Sequence, residues 1–552
     1  MLPPAVPTLR TRWLGRVSYL EAWDLQKAIW EGRTTGRTAD DYLLLVEHPH
    51  TYTVGRNGDG SNLKMPHAGL ANIGASIHDV DRGGDITYHG PGQLVGYPIV
   101  GVPKLEGGYD AVGHVRRIED VLIATLADIG IEAWTEDGYT GVWTEAGKIA
   151  AIGVRVSRGV STHGFALNVK PEMEYFDHIV PCGIEGRDIT SVSELLAADV
   201  SIEEITDRLL VHANRLSMLD QHEAQLGAFV RGSGRGAFEV DRLVEAGVFD
   251  AGSRHETAVM IRGLLADEPE KPDWMKVRVD MGDPRFMELK KLNRSLGLNT
   301  VCEEAGCPNI YECWSSGTST LMLGGDICTR ACSFCDVNTG KPGAVDEGEP
   351  VRAAEAITAM GLNHAVLTSV NRDDLEDGGA FIFAQTVHEI RERLPECDIE
   401  VLIPDFKGDA DALDVVLGAK PAVLNHNTET VLRLQRDIRT AANYARSLTL
   451  LARAKWANPS GTVKSGLIVG MGETDSEIVG ALADLNAVGV DVVTIGQYLR
   501  PTARHRKVDR YVHPEVFDEY KGAGEGFGLR HVESGPLVRS SYHAKEALEA
   551  AQ

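Results

Sequence analysis

Six of the eight cysteines lie within 34 residues, between Cys302 and Cys335, and they form two sets. Cys328, Cys332 and Cys335 read C-x3-C-x2-C. Three thiolates on one short loop can hold three irons of a cubane cluster and leave the fourth iron without a protein ligand. An open metal position is where a substrate binds. The competing reading is zinc, which ordinarily takes four protein ligands, often from paired knuckles. Cys302, Cys307 and Cys313 read C-x4-C-x5-C. This second set is a structural site, half of one shared site, or a second cluster. Six thiolates exceed what one cubane needs, so two clusters is the simpler count. Cysteines grouped in this way in a long chain point to metal rather than to a disulfide framework.

The other two cysteines, Cys182 and Cys397, stand alone. A lone cysteine is more often a small core residue than a nucleophile, and for Cys397 a core or surface thiol is expected. Cys182 has more suggestive company. The run Arg82-Gly83-Gly84-Asp85-Ile86-Thr87-Tyr88-His89 continues as Gly90-Pro91-Gly92-Gln93. Polar, glycine-rich and with Ile86 as its one bulky aliphatic residue, it reads as a poor core strand and suits a backbone that approaches a ligand closely. Lys148 opens the apolar stretch Lys148-Ile149-Ala150-Ala151-Ile152-Gly153. A lysine there either snorkels to solvent or points into a pocket.

These residues must be positioned by two different halves. Residues 18–32 and 110–129 read as helices and 41–47, 93–100, 148–156 and 162–169 as strands, which predicts an α+β domain with a mixed or mostly antiparallel sheet. An amphipathic helix is read at 201–219, a flexible run at Arg231–Gly236, and helix again at 238–267. Domains are therefore expected at 1–225 and 271–552, with a linker and extension at 226–270. In the second half, β-branched runs at 318–324, 365–370, 399–403, 422–425, 463–470 and 490–498 alternate with helical periods such as 380–394, 444–456 and 476–488. That is a parallel sheet, open or barrel-like, whose chemistry belongs in the loops after its strands. The first cysteine-rich loop follows the first strand. The glycine pattern in Lys464–Glu473 is another such loop or only a turn.

Composition narrows the function. The chain has 552 residues, 43% hydrophobic and 24% charged, with a formal net charge of −25. That argues against broad nucleic-acid or anionic-membrane binding. Two local basic stretches, Leu289–Arg294 and 500–510, are either patches or solvated surface. No apolar run is long enough to span a membrane and the first residues do not read as a signal peptide, so a cytoplasmic enzyme is the expectation.

The C-x3-C-x2-C set, with Phe334 before its last cysteine, resembles the radical S-adenosylmethionine superfamily. There the open iron takes the amino and carboxylate groups of the sulfonium cofactor. More narrowly, Cys302–Asn309 with Glu312-Cys313-Trp314 resembles lipoyl synthase. So do Thr368–Leu375, Pro404–Asp409, Asn425–Thr430, Gly496–Thr502 and Arg539-Ser540-Ser541-Tyr542, together spanning about residues 270–545. The resemblance implies a partial (β/α)6 barrel, two [4Fe–4S] clusters per chain and S-adenosylmethionine bound near Asn371 and Arg372. It also implies an auxiliary cluster on Cys302, Cys307 and Cys313, with Ser541 as fourth ligand. That cluster supplies the sulfur put into carbons six and eight of a protein-bound octanoyl chain. An electron donor such as ferredoxin or flavodoxin is implied. A biotin-synthase-like insertion into a free small molecule is the alternative, and the second cysteine set and the terminal Arg-Ser-Ser-Tyr favour the protein-bound substrate.

From Glu47-His48 to about Ile184, including Gly164-Phe165-Ala166-Leu167-Asn168-Val169, the first half resembles lipoyl(octanoyl) transferase, of biotin/lipoate ligase-like fold. The resemblance implies a dyad of Cys182 and Lys148 that passes octanoyl from acyl carrier protein to a lysine of a lipoyl domain. Acceptors would be 2-oxoacid dehydrogenase subunits or the glycine-cleavage carrier protein. An ammonium beside a thiol of pKa about 8.5 favours the thiolate. Substrate contacts are expected from Arg82 through His89, from Ala151, Ile152 and Gly153, and from Gly164, Phe165 and Ala166. His89 either positions the acyl carbonyl or is a hydrogen-bonded strand-end histidine. An ATP-dependent lipoate or biotin ligase and a non-catalytic docking module are the alternatives. Cys182 beside the Arg-Gly-Gly and His-Gly-Pro-Gly-Gln pattern favours the transferase over the ligase, and intact Cys182, Lys148 and six cluster cysteines argue against a docking module.

Overall fold

The computed structural model describes residues 6–180, 187–225, 269–275, 284–304, 307, 309–315, 320–542 and 544–551. Two compact units share the chain, Val6–Thr257 and Ala258–Gln552. The glycine-rich run at 231–236 and the helix expected at 238–267 lie outside the described residues, as does Cys182.

In the first unit, eight strands form one sheet in the order Gln221–Gln225, Thr8–Arg16, Asp41–Glu47, Gln93–Ile99, Val160–Asn168, Gly147–Ser157, Tyr139–Thr144, Trp134–Glu136. The first three run parallel and every later neighbour antiparallel, so the sheet is mixed. Alternation sends Leu43, Leu45, Leu94 and Leu167 into a core closed by Ile118, Val121, Leu122 and Leu126 of the helix Ala111–Ala127. Asp110 caps that helix, accepting from the Gly113 N–H at 2.9 Å. Backbones pass closely at the sheet centre. A Cβ on Gly164 would lie 2.1 Å from the Gly96 carbonyl, and one on Gly96 would meet the Phe165 ring at 2.2 Å.

A second sheet of three strands, Ser76–Asp79, Thr51–Val54 and Ile86–His89, packs its own small core. This corrects the reading of the Arg82–Gln93 run. Ile86–His89 is a fully buried strand, with Ile86 and Tyr88 facing Tyr52, Val54 and Phe176. Glycines around it also pass close to protein backbone. A Cβ on Gly92 would sit 2.2 Å from the Lys170 carbonyl, and one on Gly153 2.9 Å from the Gly83 carbonyl.

The second unit carries all six strands read from the sequence, lying side by side in chain order: Thr320–Leu323, His364–Ser369, Asp398–Leu402, Val423–Asn425, Thr462–Val469 and Val492–Gln497. His531–Ser534 adds a seventh parallel strand, and Asn299–Thr300 an antiparallel edge. Because the order never reverses, right-handed crossovers put the connecting helices on one face, and the sheet curls as a partial barrel. Inside it, Lys464 Nζ lies 3.1 and 3.2 Å from the Glu400 carboxylate, and Asn425 Nδ2 donates to Glu400 at 2.8 Å. Both charged side chains are 1% exposed. Among the described residues no helix is long and apolar enough to cross a membrane.

Breaking one half of a buried pair leaves an uncompensated charge. Glu400→Gln is expected to destabilise the C-terminal unit by about 3 kcal/mol or more. The double change Glu400→Leu with Lys464→Met should recover most of that loss. Urea unfolding of the full chain checks both.

Candidate functional site

In the N-terminal unit, Lys148 is the second residue of the strand Gly147–Ser157 and is buried. Its N–H donates to the Asp188 carbonyl at 2.9 Å and its carbonyl accepts from Thr190 at 3.0 Å. On the other side of Cys182, the Val180 N–H donates to the Asn62 carbonyl at 2.8 Å. Val180 and Asp188 are thus both hydrogen-bonded into the domain. Asp188 bonds Lys148's own backbone. The lysine side chain runs over Gly141, where a Cβ would stand 2.6 Å from Cε, and Nζ lies 5.3 Å from the centre of the Trp143 ring. Gly141 therefore leaves the space that the Lys148 side chain fills.

The expected substrate residues fall on different faces. Arg82 is buried and bonds the Thr53, Gly83 and Asp85 carbonyls at 2.6, 2.9 and 2.7 Å, so it fastens its own loop. Tyr88 points into the small core, its hydroxyl meeting His50 Nδ1 at 2.7 Å. Thr87 and His89 point the other way. His89 bonds Gln93 Oε1 at 2.9 Å and reaches Thr53 Oγ1 at 3.4 Å, and burial holds it well below the usual imidazole range. Of the two readings for His89, the hydrogen-bonded strand-end histidine describes its contacts. Ala151, Ile152 and Gly153 pair with Ala166, Phe165 and Gly164 across adjacent strands.

Next to these strands His163, in left-handed backbone (φ 59°), bonds Asp81 Oδ1 at 2.7 Å, and Arg155 bonds the other oxygen. Burial outweighs the Asp81 bond and keeps His163 below its ordinary pKa, so it donates as a neutral ring at pH 7. That bond, with the Arg155 charge, holds the Asp81 carboxyl at about 2.

In the C-terminal unit the strand ends surround a cavity of about 350 Å³. Cys302, Cys307, Cys328, Cys332 and Cys335 all line it, together with Ser541 and Asn371. Cys313 lies on the short helix Ile310–Ser315, and its side chain is outside the described residues. Arg372 does not line the cavity. Its guanidinium is taken up by the Gly324 and Gly343 carbonyls, at 3.1 and 3.0 Å, and by Asp374. Cys397 is a core thiol elsewhere.

Several residues that cysteine spacing does not single out build this site. Arg330, between two cysteines of the loop, forks onto Asp373 at 2.7 and 2.8 Å and onto Asp405 at 2.7 Å. Burial would raise the Asp405 carboxyl, but Arg330 outweighs it and holds it at about 2. Glu429 lines the cavity in left-handed backbone (φ 63°). Glu473 turns back to accept the Gly470 and Met471 N–H groups, so the Lys464–Glu473 pattern is a strand followed by a carboxylate-capped loop. For Arg330 and Glu473 the available signal was a charged residue inside a cysteine- or glycine-rich string.

The thiols fit an iron–sulfur cluster. Burial pushes Cys302 and Cys332 up to about 11 and Cys335 up to about 12, so a thiolate there needs a cationic partner. Two backbone N–H groups, of Arg330 and Asn371, aim at Cys328 Sγ from 3.4 Å each, the donors that a ligating sulfur takes.

Residues 18–214 match the model of the lipoyl protein ligase A/B catalytic domain, and residues 322–485 that of the radical SAM superfamily. The lipoyl synthase of Rubrobacter xylanophilus is 54% identical over 282 residues, 51% of this chain and 88% of that one. That of Symbiobacterium thermophilum is 54% identical over 291 residues, 53% and 91% of the two chains. The chain belongs to the lipoyl synthase family through its C-terminal half. A solved bipartite lipoate protein ligase from Thermoplasma acidophilum is 14% identical, covering 40% of this chain and 88% of that one, with a TM-score of 0.32. The protein is thus an enzyme in which a lipoyl ligase or transferase-type catalytic domain precedes a lipoyl synthase. The lipoyl synthase half holds the cysteine cavity, and Lys148 lies within the N-terminal domain.

Asp81 sets an acid limit for the N-terminal domain. Its folded pKa, about 2, lies below the unfolded value, near 3.9. The stability it contributes is full above pH about 4 and is lost as pH falls through about 2. Asp81→Asn should flatten the decline of urea stability over that window by about 2 kcal/mol. Unfolding midpoints measured from pH 5 downward check this.

Proposed function

We propose that the chain builds protein-bound lipoyl groups in two stages, octanoyl transfer in the N-terminal unit and double sulfur insertion in the C-terminal unit. The observation that carries the reading is the shared cavity, where five of the clustered cysteines and Ser541 line one space at the strand ends.

In the first stage Cys182 Sγ attacks the thioester carbonyl of octanoyl-acyl carrier protein. A new thioester forms on the cysteine, and the carrier thiol leaves with a proton. The amine of a lipoyl-domain lysine then attacks that thioester. An amide forms, the cysteine sulfur leaves, and the surplus ammonium proton goes to Lys148. Lys148 gives the proton in the first step and takes it back in the second, so the dyad is unchanged after a turnover. The ties of Val180 to Asn62 and of Asp188 and Thr190 to Lys148 support this pairing. The acceptors are lipoyl domains of 2-oxoacid dehydrogenase subunits or of the glycine-cleavage carrier.

In the second stage Cys328, Cys332 and Cys335 hold one [4Fe–4S] cluster, with S-adenosylmethionine beside Asn371. Bound there and reduced by a carrier such as ferredoxin or flavodoxin, this pair would supply the radical chemistry that removes hydrogen from unactivated C–H bonds. Cys302, Cys307 and Cys313, with the Ser541 hydroxyl, hold a second cluster, which is the sulfur substrate. A hydroxyl binds iron more weakly than a thiolate does, which suits a cluster that must come apart. Val370, Leu402, Ile403, Leu467 and Val538 give the cavity apolar walls for an alkyl chain.

Two experiments test the stages separately. Incubated with octanoyl-acyl carrier protein and no ATP, the chain should gain one hydroxylamine-sensitive octanoyl group by intact mass. Cys182→Ser should abolish it and Lys148→Ala should slow it by about 100-fold or more. No adduct on the wild type would reject the transferase and favour an ATP-dependent ligase. Reconstituted without oxygen, the chain should carry about eight irons. Cys302→Ala should drop this to about four while S-adenosylmethionine cleavage persists. An unchanged iron content in Cys302→Ala would reject the second cluster.

A further inference from the structure

A basic segment covers the cysteine loop from outside. In residues 500–510 five arginine and lysine side chains stand against one carboxylate, in a chain whose net charge is −25. The His505 ring donates Nε2–H to the Cys335 carbonyl at 3.0 Å, and Thr502 bonds its Nδ1 at 2.9 Å. The Arg506 N–H donates to the Ser333 carbonyl at 3.0 Å. Pro501 and Cys335 line the same cavity. The segment is therefore the outer wall of the loop that carries Cys332 and Cys335.

Its charges divide by direction. Arg510 is paired with Asp475 at 2.6 Å. Arg500 and Arg506 turn back onto the protein and bond the His505 and Met471 carbonyls. Arg504 and Lys507 face solvent. The Arg504 side chain is 73% exposed and reaches Asp336 only at 3.6 Å. The acidic chain as a whole repels an acidic protein, so such a protein can land only where the local field is positive.

Resting on the reading that Cys328, Cys332 and Cys335 hold a reducible cluster, we propose that the surface around Arg504 and Lys507 docks an acidic one-electron carrier protein. Docked there, the carrier loses one electron and the cluster gains it, across a wall one loop thick whose His505 bonds directly to the Cys335 carbonyl. No atom is transferred, and the oxidised carrier leaves.

Flavodoxin hydroquinone is the probe, with the full-length reconstituted chain. Arg504→Glu with Lys507→Glu should slow cluster reduction in stopped flow by about 10-fold or more at low salt, with the gap closing as salt rises. The same change should weaken flavodoxin binding to the chain before iron loading, measured by calorimetry. Dithionite, which needs no docking, should reduce wild type and variant at the same rate. The charge-keeping change Arg504→Lys with Lys507→Arg should behave as wild type. An unchanged flavodoxin rate in the reversed variant would overturn the proposal while dithionite reduction leaves the cluster reading intact. So would a loss confined to lipoyl-domain binding, which would assign the patch to the substrate. A wild-type chain that dithionite cannot reduce would instead overturn the cluster reading itself.

Discussion

A thiolate is hard to keep in a buried cavity, and the C-terminal unit is arranged around that difficulty. Desolvation penalises the charged form of each cysteine, which is why Cys302, Cys332 and Cys335 stand at about 11 to 12. The surroundings work against this penalty. Arg439 lowers the Cys332 thiol and Arg539 the Cys307 thiol, and N–H groups converge on Cys328. None of these suffices, and metal cations of higher charge would. The cavity is therefore unfavourable to free thiolates and favourable to metal-bound ones, a difference that selects the loaded state.

Such a site has to be held rigidly, because its ligands come from separate loops. Arg330 supplies the fastening. It is part of the cysteine loop, and its two anions follow different strands, Asp373 after His364–Ser369 and Asp405 after Asp398–Leu402. A buried ion pair adds little net stability, but it fixes one geometry. The Glu400–Lys464 pair acts one layer deeper. Two residues further along the same strands, Leu402 and Gly466 line the cavity. Arg82 does the equivalent work in the other unit by binding three carbonyls.

The alternation of strands and helices in the second half was legible because buried parallel strands are continuous apolar runs. His364–Ser369 and Asp398–Leu402 lie within one residue of their sequence-based positions. Asn299–Thr300 and His531–Ser534 were not legible, since two and four residues give periodicity too few positions. Ile86–His89 was misread because glycine and polar residues on both sides hide a strand whose burial comes from a second sheet. The cysteine sets were legible as local spacing. Arg372 shows the limit of that approach. It follows Asn371 in sequence, but adjacent side chains diverge, and only Asn371 reaches the cavity.

Ser541 lies far outside any local pattern, more than 200 residues after Cys335. What brings it to the cavity is a close crossing at the end of Val492–Gln497. A Cβ on Gly496 would lie 2.0 Å from the Val538 carbonyl and 3.0 Å from an Arg539 guanidinium nitrogen, so only glycine lets the tail pass there. Asn309, two residues after Cys307, then holds the Leu537 carbonyl at 2.6 Å. The tail is bonded to the barrel strand at Gly535 and Pro536, by Ile495 and Gln497, and to the second cysteine set by Asn309. Any shift of that set would pull on the segment carrying Ser541, so the serine's position depends on the thiolates it is proposed to join. A hydroxyl ligand carried on such a tail is easier to release than a cysteine built into the loop itself.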